Sequence, residues 1–255
     1  MITPEEVQAM PHKVFCALPQ GELSRYSDFE HDYEHLICPP NTIKRRLFGI
    51  YIANLQNALA REFLKTDYEW FWLVNDDQSY PPDTLVNLLA RGKDVIVPVC
   101  LEKNPPHFPI IYGEKATANG INRHRITLKR GQHGLIRVGA CGGGGLLIHR
   151  RVFEAIPDPW WEVTTGKNEA GIYEQSSEDY DFCAKVQAAG FDIWCDLDVS
   201  VVHIAHYGLR PIRDERTGEW YTVLIRNGEQ VLLPAAAPPA SRIIVPEPVF
   251  NLVKA

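Results

Sequence analysis

WFWLVNDDQSYPPDTL, residues 70–85, is the stretch from which the rest of the chain can be read. Tyr68 to Val74 is a continuous aromatic and apolar run, too short for a helix and bounded by polar residues, as a central strand covered on both faces requires. It delivers Asn75, Asp76 and Asp77 at its carboxyl end, the side on which open α/β sheets bind ligands. After Pro81 and Pro82, DTLVNLLARG opens on an acidic residue and closes on Gly92, the punctuation of a helix. DVIVPVCL then supplies a second buried strand, and strand, helix, strand is the repeating unit of an α/β fold.

Toward the N-terminus, Val14 to Leu18 predicts a first strand stopped by Pro19, Gln20 and Gly21. NTIKRRLFGIYIANLQNALAREFLKT, from Asn41, predicts the first long helix, with Asn41 or Thr42 as its cap. Toward the C-terminus, residues 110–150 break into short alternating pieces separated by Gly and Asn, which predict antiparallel strands beside the parallel part. GGGGLLIHRRVFEAI, SSEDYDFCAKVQAAG and FDIWCDLDVSVVHIAH then predict a helix, a second capped helix and a closing strand. The expected fold is a mixed, mainly parallel sheet flanked by helices over residues 1–207. Residues 208–255 change character: EWYTVLIRNGEQVLL predicts a hairpin around Asn227 and Gly228, and LPAAAPPASRIIVPEPVF an extended strap.

A chain of 255 residues with 45% hydrophobic and 23% charged residues has the composition of a folded globular protein, and no internal repeat divides it. Its net charge of −6 disfavours general coating of nucleic acid. The six cysteines are scattered without a CxxC pair, so they are expected to be reduced and structural. No apolar stretch approaches the roughly 20 residues that span a bilayer, and MITPEEVQAMPHK is acidic where a signal peptide is basic. A cytoplasmic location is the expectation.

Each motif has a chemical reading and a local one. Asp76 and Asp77 are oxygen ligands of the kind that hold Mg²⁺ or Mn²⁺ against a diphosphate, yet Asn and Asp also favour strand-to-turn junctions. Gly142 to Gly145 allow backbone to approach a ligand, or simply bend a strand. No Gly-Lys-Ser or Gly-Lys-Thr follows them, and no GxGxxG follows the first strand, which disfavours phosphate-loop and dinucleotide-binding folds. Glu178, Asp179 and Asp181 sit behind Ser176 or Ser177 in a helix's first turn, where the dipole favours negative charge and where a carboxylate can also serve as a base. His203 suits a metal ligand or a satisfied structural histidine.

In order and spelling, these motifs resemble the GT-A glycosyltransferases related to family 2. WFWLVNDDQSYPPDTL resembles their DxD region, SSEDYDFCAKVQAAGF their ED motif, and FDIWCDLDVSVVHIAHYG the strand and histidine that close the site, over roughly residues 14–207. The resemblance implies a GT-A fold, a divalent cation (Mn²⁺ or Mg²⁺) held by Asp77 and His203, and His206 as a neighbour. It implies Asp179, beside Glu178, as the base of an inverting transfer. It places Pro19, Asn57, Asn75, Asp76, Gly143 and Gly144 around a nucleotide-sugar donor such as a UDP-sugar. Asn75 departs from the usual Asp, and an amide is the weaker metal ligand. Rival readings are a retaining sugar transferase or nucleotidyltransferase on the same fold, and an inactive sugar-binding module. Trp160, Trp161 and the following TTGKNEAGIYEQ are the candidates for shaping the acceptor site. The chain also resembles transferases encoded by bacteriophages, which implies acceptors such as a modified DNA base, a protein or a glycan.

Overall fold

The computed structural model describes residues 2–21, 26–103, 107–117, 120–129, 131–167, 173–205, 208–213, 220–226 and 229–232. The chain divides into two compact units, Met1–Ile204 and Ala205–Ala255.

The first unit is built on a seven-stranded sheet of β1 (Lys13–Gln20), β2 (Asn41–Phe48), β3 (Trp70–Leu73), β4 (Val95–Val99), β5 (Leu135–Val138), β6 (Leu147–His149) and β7 (Ile193–Ser200). Their order across the sheet is β2-β1-β3-β6-β4-β7-β5. β5 and β6 run opposite to the other five, so the sheet is mixed and mainly parallel, as expected. Besides a short helix at Pro4–Gln8, five helices accompany it among the described residues: α1 (Ser27–Glu34), α2 (Ile52–Leu64), α3 (Thr84–Ala90), α4 (Arg150–Ala155) and α5 (Glu178–Ala188).

Both faces of the sheet are covered, which is why its central strands read as unbroken apolar runs. Successive side chains point to opposite faces. Phe15, Ala17, Phe71 and Leu73 therefore join Leu59, Ala60 and Phe63 of α2 and Phe182, Cys183 and Val186 of α5 in one core. Val14, Cys16, Leu18, Trp72 and Val74 join Phe29 and Tyr33 of α1 and Leu85, Leu88 and Leu89 of α3 in the other.

The long helix expected from Asn41 is corrected. Residues Asn41–Phe48 form edge strand β2, in parallel register with β1 from Lys13↔Asn41 to Gln20↔Phe48, and the helix begins only at Ile52. β1 is buried on both faces and needs hydrogen-bond partners along both edges, a tertiary demand that outweighs local helical spacing. The helical pattern is real from Leu55 onward, where Leu55, Leu59, Ala60 and Phe63 turn inward. β1 also runs past its expected end: Pro19 is a buried strand residue opposite Leu47, not part of a ligand-carrying loop.

The antiparallel expectation for residues 110–150 holds. Ile111–Thr117 pairs antiparallel with Gly120–Arg125, and β5 and β6 pair antiparallel with their neighbours. In the second unit, Gly208–Arg213, Trp220–Arg226 and Glu229–Leu232 form an antiparallel sheet. Arg226 pairs with Glu229, so the expected hairpin forms, although Asn227 and Gly228 and the strap from residue 233 lie outside the described residues. All six cysteines are free, five of them buried. Among the described residues no helix is long and apolar enough to cross a membrane.

Candidate functional site

β3 carries the chain to Asn75, Asp76 and Asp77 at its carboxyl end. A two-residue ladder then fixes what meets them: Gln78–Ser79 pairs antiparallel with Val202–His203, and the Ile204 N–H donates to the Asp77 carbonyl at 2.8 Å. This ladder brings His203, distant in sequence, to Asp77. His203 Nε2 lies 3.4 Å from Asp77 Oδ2, while Nδ1 donates to the Leu101 carbonyl at 2.7 Å. A carbonyl only accepts, so Nδ1 carries a proton and the second nitrogen faces the carboxylate. Lys103 Nζ sits 2.5 Å from the same Asp77 oxygen.

Charge holds this group together. Burial works against the Asp77 carboxylate, but His203 and Lys103 outweigh it and keep its pKa below the ordinary value. Burial likewise opposes a charge on His203, but Asp77, Cys100 and the Leu101 carbonyl raise it to about 9. Asp76 shifts the other way, raised by burial and then by the Asp77 charge.

A relay of buried polar groups lies beneath. The Asn75 N–H donates to the Tyr80 hydroxyl at 2.9 Å, the hydroxyl donates to Gln78 Oε1 at 2.6 Å, and Gln78 Nε2 donates to Cys100 Sγ at 3.4 Å. The Asn75 side-chain oxygen is buried without a partner.

The glycine run links this group to Asp179. A Cβ on Gly143 would lie 2.6 Å from Asp179 Oδ1, and one on Gly144 would collide with the Gln78 amide. Gly145 has φ +78, a conformation open to glycine, and donates its N–H to the Leu73 carbonyl at 2.9 Å. Gly143 and Gly144 were expected to admit a donor. The close approach they provide is instead to Asp179 and Gln78, and the Gly143 N–H is spent on Asp179 Oδ2 at 2.9 Å. Gly142 and Gly144 also line a narrow cleft with Gln78, Pro98, Cys100 and Ile110.

Asp179 stands in the first turn of α5, whose N-cap Ser177 accepts from the Asp179 N–H at 3.2 Å. Its Oδ2 has the Gly143 bond, but its Oδ1 is buried with no partner. Burial, then the neighbouring Glu178, pushes the carboxyl up to about 7, while the Gly143 N–H pulls the other way. A carboxyl titrating near neutrality beside an unsatisfied oxygen is the arrangement a general base needs.

Three expected contacts are corrected. Trp160 and Trp161 are 4% and 1% exposed, and Trp161 stacks on Phe182 with centroids 4.6 Å apart, so neither indole has a face free for an acceptor. Asn57, expected at the donor, is buried beneath them. Its Oδ1 accepts from the N–H groups of Trp160 and Trp161 at 2.9 and 3.1 Å, and its Nδ2 donates to the Trp161 carbonyl at 2.7 Å. Both lone pairs of its oxygen and one N–H of its nitrogen are thus committed to this turn. His206 and residues 168–172 of the acceptor segment lie outside the described residues. Lys103, Gln78 and Tyr80 had escaped the sequence reading: a single lysine in a loop and two polar residues after a strand carry no motif.

No family model and no curated protein sequence matches this chain. Solved structures resemble it in fold. A197 from STIV matches with 14% identity and a TM-score of 0.41, over 80% of this chain and 99% of that one. GalNAc-T7, solved with UDP, GalNAc and Mn²⁺, matches with 11% identity and a TM-score of 0.45, over 76% of this chain. S. aureus TarS 1–349, in complex with UDP-GlcNAc, matches with 11% identity and a TM-score of 0.42, over 77% of this chain. The match spans 44% of the GalNAc-T7 chain and 59% of the TarS chain.

Among the described residues no group of three or more His, Cys, Asp or Glu converges on one point. Asp77 and His203 are a pair. A divalent cation here would have Asp77 Oδ2 and, once its Nε2 proton is released, His203 as its protein ligands, and would need substrate phosphate and water to complete its shell. The Leu101 carbonyl on the far nitrogen orients the ring as it does for metal-bound histidines.

Proposed function

We propose that this chain is a glycosyltransferase of the GT-A type that transfers a sugar from a nucleotide-sugar donor to an acceptor hydroxyl with inversion. The observation that carries the reading is Asp179: a carboxyl with one buried, unpartnered oxygen and a pKa raised to about 7, packed on Gly143, while the neighbouring Gly144 packs on Gln78, the strand partner of His203. The spelling of the three motifs supports the same assignment. Asp77 and His203 would hold the divalent cation, Mn²⁺ or Mg²⁺, and when bound it would neutralise charge developing on the departing diphosphate. Asn75 and Asp76, at the carboxyl end of β3, lie beside the donor.

Asp179 acts on the acceptor. A hydroxyl is a weak nucleophile, and its proton passes to Asp179 as its oxygen forms the new bond to the anomeric carbon and the bond from that carbon to the diphosphate breaks. Asp179 takes this proton only in its ionised form. Glu178 sharpens the site by raising the proton affinity of its neighbour. The donor is a UDP-sugar in this reading, and the acceptor a hydroxyl on a modified base, a protein or a glycan.

Asp77→Ala tests the donor side. It should abolish Mn²⁺-dependent binding of a UDP-sugar, followed by calorimetry, and leave a native melting curve. Wild-type affinity in that variant with Mn²⁺ present would sink the assignment.

A further inference from the structure

Lys103 has no place in the motifs above, yet its ammonium forms an ion pair in the middle of the site, on the same Asp77 oxygen that faces His203. Its segment is anchored. Leu101 bridges antiparallel to Pro109, the Glu102 N–H donates to the Phe108 carbonyl at 2.9 Å, and the Ile110 N–H donates to the Cys100 carbonyl at 2.9 Å. The excursion that brings Lys103 to one side of Asp77 also brings the Leu101 carbonyl to His203 on the other side. Both members of the candidate metal pair are thus gripped by one stretch of chain.

Two consequences follow from charge. Lys103 and His203 both face Asp77 Oδ2, so a divalent ion binding to that oxygen competes with the ammonium. A lysine ammonium on a flexible four-carbon stem is also a good point-charge partner for phosphate. With side chains 26% and 31% exposed, the Lys103–Asp77 pair is partly open to water, so the ammonium can exchange one anion for another.

We propose that Lys103 is a resident phosphate-binding cation, whose ammonium passes from Asp77 to an oxygen of the diphosphate and holds a nucleoside diphosphate without a divalent metal. The inference rests on the donor-binding reading given above. It adds that diphosphate binding has a metal-independent component and that Lys103 and the metal share Asp77. The displaced Asp77 oxygen becomes available to an ion at the step when the diphosphate takes the ammonium.

The test is calorimetric titration of the full chain with UDP, GDP and pyrophosphate, in excess chelator and separately in Mn²⁺, for wild type, Lys103→Met and Lys103→Arg. In chelator, wild type should bind, Lys103→Met should weaken all binding ligands by about 10- to 100-fold, the range of a charge-assisted hydrogen bond, and Lys103→Arg should retain most of the affinity. Mn²⁺ titrated alone should bind Lys103→Met more tightly than wild type, because its competitor is gone. Equal binding by wild type and Lys103→Met in chelator overturns the proposal. Binding by wild type in Mn²⁺ but none in chelator overturns it while leaving the donor-binding reading intact. A wild type that binds no probe under either condition overturns both.

Discussion

Asp179 is where the chemistry of this chain is most exposed to test at the scale of one residue. Its carboxyl is raised above the ordinary value of 3.8 to about 7, chiefly by burial and secondarily by Glu178. A raised carboxyl binds its proton more tightly when folded than when unfolded, so its contribution to stability is complete below 3.8 and is lost as pH rises through about 7. The base role runs in the opposite sense, because only the ionised form accepts a proton. Transfer rate should therefore climb with pH to a plateau above about 7 while melting temperature declines over the same interval, and Asp179→Asn should flatten the decline. In that variant turnover should fall by about 10² to 10⁴ with no loss of melting temperature at alkaline pH. Near-normal transfer by a folded Asn variant would remove Asp179 from the mechanism. A helix-dipole role alone would leave turnover intact and cost roughly 0.3–1 kcal/mol.

At the scale of elements, the short connections decide more than the long helices. The turn around Trp160 and Trp161 is tied to α2 by Asn57, which satisfies two N–H groups and a carbonyl there. Asn57→Ala would leave those groups buried and unpaired, at about 1–3 kcal/mol for each. The expected outcome is a clear fall in melting temperature with unchanged nucleotide affinity, measured by thermal denaturation and UDP titration. A donor-binding Asn57 would give the reverse. The ladder of Gln78–Ser79 against Val202–His203 is just as decisive, because it brings the histidine after β7 to the acidic end of β3. Neither connection has a sequence signature. Each is two or three hydrogen bonds between segments far apart in the chain, and periodicity reports only on neighbours.

For the whole molecule, the two apolar cores described above are built from residues of the first unit. A chain ending after Ala205 should consequently melt cooperatively and keep the nucleotide affinity of the full chain, checked by calorimetry on both. Loss of cooperative melting would show that the second unit is needed for the first to fold. The sequence alone was enough for the α/β class, for the central strand at Trp70 and for antiparallel pieces over residues 110–150, because apolar runs, alternation and turn residues are local signals; the roles of Asp77, His203 and Asp179 come from the family resemblance and stand as proposals. It misread Asn41–Phe48 as helix, and Trp160, Trp161 and Asn57 as ligand contacts. Only the tertiary structure decided those positions, since whether β1 needs a partner along its edge, whether an indole faces solvent, and whether an amide is already satisfied depend on what packs against them. The same holds for Lys103: its charge is written in the sequence, but its position on Asp77 exists only once the strands have brought the two together.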